Sequence, residues 1–150
     1  MMSRPLVSVL MPAYNHERYV AAAVESVLSQ TYPEWELIVI DDASQDGTWE
    51  VLQSFKDVRL RLKRHEVNQG AHATLNEALE MARGEYIAII NSYDVFATNR
   101  IDRMLAEARA SGEKEIFAFT DIDFIGPAGE PANEHSRAIA YRDLRAACDA

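Results

Sequence analysis

The chain has 150 residues, 24 acidic and 15 basic, for a net charge of −9. That length predicts one domain, and 48% hydrophobic with 26% charged residues excludes disorder of the whole chain. The acidic balance disfavours a nucleic-acid partner, and the single cysteine, Cys148, excludes an internal disulfide and a zinc knuckle. No apolar run approaches the ~18 residues of a membrane span, and the start, Met1-Met2-Ser3-Arg4-Pro5, has no secretory h-region. The expectation is a soluble, cytoplasmic chain. Peripheral attachment to the inner membrane face, or an anchor in sequence elsewhere, stays open.

The elements alternate along the chain. Leu6–Met11 reads as a β-rich strand stopped by Pro12. A helix is predicted over His16–Ser29, with Asn15 as N-cap. Its apolar stripe is Tyr19, Val20, Ala23, Val24, Val27 and Leu28. Trp35–Ile40 is a second apolar strand, ending at Asp41-Asp42. Ser44–Gly47 reads as a capping turn before a helix over Thr48–Phe55.

Val58–His65 alternates strictly, with Val58, Leu60 and Leu62 inward and Arg59, Arg61 and Lys63 outward. This predicts a half-buried strand near a sheet edge, where long cations discourage edge pairing. It also gives the basic cluster of Lys56, Arg59, Arg61, Lys63 and Arg64 a structural explanation that outweighs an anion site. A helix over Ala71–Ala82 follows, closed by Arg83-Gly84 as C-cap. Tyr86–Ile90 is a strand. Ile101, Met104, Leu105 and Ala108 mark a helix ended by Ser111-Gly112, and Ile116–Thr120 is a further strand. Such alternation implies an α/β fold: a mostly parallel, Rossmann-like sheet with helices on both faces.

Ligands of such sheets sit beyond the carboxyl ends of the strands. The strand ends here are Pro12-Ala13-Tyr14-Asn15, Asp41-Asp42-Ala43-Ser44, Asn91-Ser92-Tyr93-Asp94 and Asp121-Ile122-Asp123. Asp41-Asp42 is the sharpest. Two adjacent carboxylates after a buried strand need backbone donors, a cation or a ligand to compensate them. The site then accepts from a base N–H or a ribose hydroxyl; the structural alternative is a helix-capping turn. Asp94 is a candidate Mg²⁺ or Mn²⁺ ligand, or else the cap of a turn. Asp121 and Asp123 share one face of an extended segment and read as solvated. His16, His65, His72 and His135 lack metal spacing and read as surface or packing residues. No G-x-S-x-G, G-x-x-x-x-G-K-[ST] or early G-x-G-x-x-G motif is present.

Several blocks together resemble family 2 glycosyltransferases of the GT-A fold. They are residues 7–15, residues 26–48, Asn68-Gln69-Gly70, residues 82–88 and Asn99-Arg100-Ile101. The resemblance covers roughly residues 5–130. It implies the nucleotide-sugar-binding half of an inverting transferase, with a UDP-, GDP- or dTDP-sugar as donor and a glycan or lipid-linked hydroxyl as acceptor. The setting it implies is cell-surface or exopolysaccharide synthesis. Residues matching the family's nucleotide site are Pro12, Ala13, Tyr14, Asn15, Glu17, Asp41, Asp42, Asn68, Gly70 and Ser92. The family's base is an acid in the acceptor half, expected beyond residue 150, so the chain reads as truncated and open to self-association or to action within a larger parent.

Two further positions depart from the family pattern. The family's metal motif falls on Asn91-Ser92-Tyr93-Asp94, where Tyr93 replaces the usual acid and leaves Asp94 as the metal residue. A Mn²⁺ or Mg²⁺ cofactor is therefore in doubt. Leu75 stands where many members have Arg. Both departures favour an alternative, a degenerate non-catalytic nucleotide-binding or scaffolding module of the same fold. A signalling receiver is disfavoured, because its acid pair follows the first strand.

Overall fold

The computed structural model describes residues 4–113, 116, 118, 123–125 and 130–135. The chain divides into two compact units, residues 1–107 and 108–150. In the first, β1 (Val7–Ala13), α1 (Val20–Leu28), β2 (Trp35–Asp41), α2 (Thr48–Ser54), β3 (Leu60–Arg64), α3 (Ala71–Met81) and β4 (Tyr86–Ile89) follow in order. The helix α4 (Arg100–Ser111) begins in this unit. In the second unit, β5 (Asp123–Ile125) pairs antiparallel with β6 (Pro131–His135). The expected strand Ile116–Thr120 falls mostly outside the described residues.

The four-stranded sheet runs β3-β2-β1-β4, every neighbouring pair parallel. β1 and β2 are central and buried almost throughout, which is why their sequences read as continuous apolar runs. Val7, Val9, Met11, Leu37 and Val39 face α1, α2 and the start of α4. Leu10, Ile38 and Ile40 face α3 through Ala78, Leu75 and Met81. Leu75 is thus a packing residue at the position where the family often carries a cation. β3 is an edge, as its alternating cations foretold. On β4, the opposite edge among the described residues, Ile87 and Ile89 are about half exposed.

Four local expectations are corrected. Pro12 does not stop β1; it lies within it, opposite Ile40. Leu10 O accepts from Ile90 N and Ala13 O from Asp42 N. Pro12 shares the parity of Leu10, so its missing N–H faces the side where β4 has already ended. Asn15 does not cap α1, which starts four residues later than expected. Tyr19 and Val20 N–H groups instead donate to His16 O, forming a turn first.

Val58 is fully exposed, because Asp57 bonds the Arg59 N–H and guanidinium and forms a turn before β3 begins. Arg83-Gly84 does not cap α3, which ends at Met81. The buried Glu36 carboxylate instead takes the Arg83 N–H at 2.8 Å and its guanidinium at 2.7 Å, while Ser8 Oγ takes the Gly84 N–H. This network fastens the α3–β4 turn to the amino-terminal end of the sheet. The carboxyl end is left for other work.

Candidate functional site

The chain winds β1, β2, β3 in one direction and then crosses to place β4 on the far side of β1. In parallel α/β sheets, ligands sit beyond the carboxyl ends of the strands. Three loops converge there. The loop after β1 is sewn to the loop after β2: Asn15 N–H donates to Ser44 Oγ, Gln45 N–H to Asn15 Oδ1, and His16 N–H to Thr48 Oγ1. Glu17 N–H donates to Asp46 Oδ2, and Gly47 N–H returns a bond to Glu17 Oε2. Asn15 (φ 54°) and Ala43 (φ 62°) both occupy the left-handed region. Asn tolerates it, whereas Ala there is strained, a feature that concentrates at ligand sites.

The acid pair divides its work. Asp42 is 3% exposed. Its Oδ1 accepts from Gln69 N–H at 2.8 Å and meets His65 Nδ1 at 2.7 Å; its Oδ2 accepts from Gly70 N–H at 2.8 Å. Asn68 Nδ2 donates to Asp42 O. Asp42 therefore clamps the loop before α3, and Gly70 (φ 89°) takes a conformation that suits glycine there. Burial pushes the Asp42 carboxyl up, but the bonds from Gln69, His65 and Gly70 outweigh it and hold it below its usual 3.8.

His65 is buried between carboxylates, its Nε2 lying 2.7 Å from Glu77 Oε2. Burial pushes the ring down, yet the bonds to Asp42 and Glu77 outweigh it and raise it above 6.5. Glu77 is lowered by its bonds from Lys63 and His65. Asp41 is fully buried. Its Oδ2 pairs with Arg64 Nε at 3.1 Å and accepts from Ser44 N–H at 3.3 Å, while its Oδ1 has no partner.

Above this base lies an open cavity of about 750 Å³, lined by Tyr14, Ser44, Arg64, His65 and Asn68 among others. Of the sequence-predicted residues, the structure gathers Tyr14 and Asn68 on its wall. Ala13, Asn15, Asp41, Asp42 and Gly70 serve as supports, and Pro12 lies in the strand beneath. Glu17 does not line the cavity; its Oε2 accepts from Gly47 N–H. Ser92 is buried on the neighbouring β4 loop, where its Oγ lies 2.7 Å from His16 Nδ1. His16 links the first loop to the last, with Tyr93 edge-on to its ring at 5.0 Å.

Asp94 is held in a turn. Its N–H donates to Asn91 O, and its Oδ2 accepts from Asn91 Nδ2 at 2.8 Å. No group of three or more His, Cys, Asp or Glu side chains placed to hold a metal occurs among the described residues. One engaged carboxylate beside a phenol is a poor donor set for Mn²⁺ or Mg²⁺, so the residues described do not fit a resident divalent ion.

Sequence reasoning missed His65, Arg64 and Glu77. The available signal was position, because Arg64 ends an edge strand and His65 follows it, at the same end of the sheet as the acid pair. The rest of the basic cluster is engaged as the structural reading held. Arg59 stacks 3.6 Å over Trp35, Arg61 bonds Met81 O and Glu36, and Lys63 bonds Glu77.

A parallel sheet with its loops stitched around an acid-based crevice defines a Rossmann-like α/β fold. The model of Glycosyl transferase family 2 matches residues 8–146, and the chain belongs to this family. It is 36% identical over 145 residues to the putative teichuronic acid biosynthesis glycosyltransferase TuaG of Bacillus subtilis, covering 93% of this chain and 57% of that protein. It is 41% identical over 101 residues to the UDP-Glc:alpha-D-GlcNAc-diphosphoundecaprenol beta-1,3-glucosyltransferase WfgD of Escherichia coli, covering 67% of this chain and 40% of that one. The chain thus spans about half the length of these relatives.

Among solved structures it resembles S. aureus TarS 1-349 in complex with UDP, with a TM-score of 0.65 and 29% identity over 69% of this chain and 32% of that one. It also resembles the mannosyltransferase PcManGT from Pyrobaculum calidifontis in complex with GDP-Man and Mn2+. There the TM-score is 0.59 and the identity 30%, over 64% of this chain and 30% of that one.

Proposed function

We propose that this chain is the donor-binding half of a family 2 glycosyltransferase. The reaction is transfer of a sugar, with inversion, from a UDP-, GDP- or dTDP-sugar to a hydroxyl of a glycan or lipid-linked acceptor, in cell-surface polysaccharide synthesis. The observation that carries the reading is the Asp42 clamp. A buried carboxylate gathers two backbone N–H groups and a histidine, and thereby fixes the Asn68–Gly70 loop as one wall of a cavity large enough for a nucleoside. Relatives whose names carry UDP-Glc, and neighbours solved with UDP or GDP-Man, support the donor class.

In this reading Tyr14 offers a ring face to the base. Pro12, Ala13 and Asn15 shape the floor, Asp41 and Asp42 with Asn68 and Gly70 set the base and ribose wall, and Ser92 with His16 flanks the diphosphate side. Glu17 acts through the Gly47 turn. No step is assigned to a metal. The acceptor's base belongs outside the described residues.

A second reading, a non-catalytic nucleotide-binding or scaffolding module, is favoured by one observation: Tyr93 packs on His16 while Asn91 occupies Asp94. Calorimetric titration of UDP, GDP and dTDP, with and without Mn²⁺, tests both. Metal-dependent binding of one nucleotide supports the transferase and would overturn the poor fit for a divalent ion found above. Metal-independent binding supports a nucleotide cleft without metal-assisted chemistry, and no binding contradicts the donor site and leaves the scaffolding reading.

A further inference from the structure

Helix α3 is held to the sheet by little apolar packing. Of its 11 residues only Thr74 and Ala78 are buried, and Leu79 is 49% exposed. By contrast, α1 buries Val20, Ala23, Val24, Ser26 and Val27 of its 9 residues. Polar ties therefore carry more of the attachment of α3. Arg61 donates to Met81 O at 2.7 Å at its end, and Asp42 takes the Gly70 N–H at its start. In the middle, Glu77 bonds Lys63 and His65.

The middle tie passes through a single ring. His65 is buried, and its backbone N–H donates to Asp41 O at 2.9 Å. Two carboxylates face the ring, Asp42 from the end of β2 and Glu77 from α3, each at 2.7 Å. Lys63 reaches Glu77 from β3, while Arg64 pairs with Asp41. A charged imidazole has two N–H donors, one for each carboxylate; a neutral one has a single N–H and a bare lone pair. The neutral ring thus serves only one of its two partners. Asp42 is as buried as the ring, whereas the Glu77 side chain is 25% exposed and can turn to Lys63 and to water. Leaving the buried acceptor without its donor costs more. The neutral ring therefore keeps Nδ1–H on Asp42 and turns its lone pair on Glu77, which breaks the tie to α3.

We propose that His65 is a positioning residue of the donor site: while its ring is charged it ties α3 to the end of β2, and when the ring is neutral it lets the helix go. The inference rests on the donor-site reading above and adds to it how one wall is set and released. α3 starts directly after its N-cap Gly70, the last residue of that wall, so slack in the helix reaches Asn68–Gly70. The wall is set below the ring's midpoint and slackens as pH rises through it. A nucleotide that favours the set wall also favours the charged ring, because coupling between two sites is reciprocal.

The test has two arms, both on the full chain. In the first, without nucleotide, NMR follows the His65 ring nitrogens, the Glu77 side-chain carboxyl and the α3 amides as pH rises. The Glu77 and α3 signals are expected to move with the ring's midpoint, and the neutral ring is expected to carry its proton on Nδ1. In the second, UDP, GDP and dTDP are titrated calorimetrically below and above that midpoint into wild type and Glu77→Gln. The wild type's affinity for whichever nucleotide binds is expected to fall by about 5-fold or more across the midpoint. In Glu77→Gln it should change by less than about 2-fold relative to that, because a carboxamide offers its oxygen to the charged ring and its NH₂ to the neutral one, keeping the tie in both states. Titration of the nucleotide's own phosphate acts on both proteins alike and cancels in the comparison. Affinities that change equally in the two proteins, α3 amides that do not follow the ring, or a neutral ring protonated on Nε2 overturn the inference while leaving the donor site intact. Failure of every nucleotide to bind the wild type at either pH instead removes the donor-site reading itself, and the inference with it.

Discussion

Glu36→Gln removes one charge from the amino-terminal end of the sheet. The wild-type carboxylate is 2% exposed and accepts from Ser8 Oγ at 2.8 Å and Arg83 N–H at 2.8 Å. It also takes Arg83 Nε at 3.0 Å and Nη2 at 2.7 Å, with Arg61 at 3.4 Å. Burial alone would push this acid up. The bonds from Arg83 and Ser8 outweigh burial and lower it from 4.5 to about 2. Each tenfold change in proton affinity is worth about 1.4 kcal/mol, so the carboxylate contributes about 3 kcal/mol of stability at neutral pH.

Gln keeps the shape and the acceptor for Ser8 and Arg83 N–H, but turns an NH₂ toward two guanidinium groups. The expected loss is about 3 kcal/mol at pH 7, within the range for breaking a buried pair. Because the folded-state value is depressed, the wild type's advantage is present in full above about 4.5 and fades as pH falls toward 2. Urea unfolding of both proteins between pH 7 and pH 3 measures it. A wild-type advantage that stays constant across that range, or is under about 1 kcal/mol at pH 7, would refute the reasoning.

Two further outcomes follow from the same geometry. The His65 ring, held by Asp42 and Glu77, should titrate above 6.5 when followed by NMR. Its link to the clamp is then fully present below about 6.5 and is lost as pH rises through the raised midpoint, and a midpoint below 6.5 would contradict the buried bridge. Gly84→Ala places a Cβ 2.6 Å from Ser8 N and 2.9 Å from Leu6 O, both backbone atoms. A loss of about 1–3 kcal/mol in thermal or urea unfolding is expected, and an unchanged stability would show that the turn yields freely.

Much of the fold was legible because its signals are local. Buried parallel strands read as apolar runs, α1 carries its own stripe, and the alternating cations of β3 name it as an edge. The acid pair stood out as a candidate site because two carboxylates after a buried strand demand compensation. What the sequence concealed was the partner of each acid. Asp42 meets His65 and Gly70, and Asp41 meets Arg64, only once β3 lies beside β2 in the register that sets Asp41 opposite Arg64. Pro12 misled because its effect depends on which side of the strand its nitrogen faces, and that depends on where β4 ends. Asn15 misled because an Asn before an apolar stripe looks like a cap, whereas here its amide oxygen binds Gln45 across the crevice. Glu17, placed at the site by resemblance, accepts from the Gly47 N–H in the structure.

The central claim is that the crevice at the carboxyl ends of β1, β2 and β3 receives a nucleotide. Amide spectra of isotope-labelled chain, recorded as UDP is added, test it most directly. The account predicts that shifts concentrate at Ala13–Asn15, Asp42–Gln45 and Asn68–Gly70, with the Glu36–Arg83 end unmoved. Shifts centred on that opposite end, or a spectrum unaltered at millimolar UDP, GDP and dTDP, would contradict it.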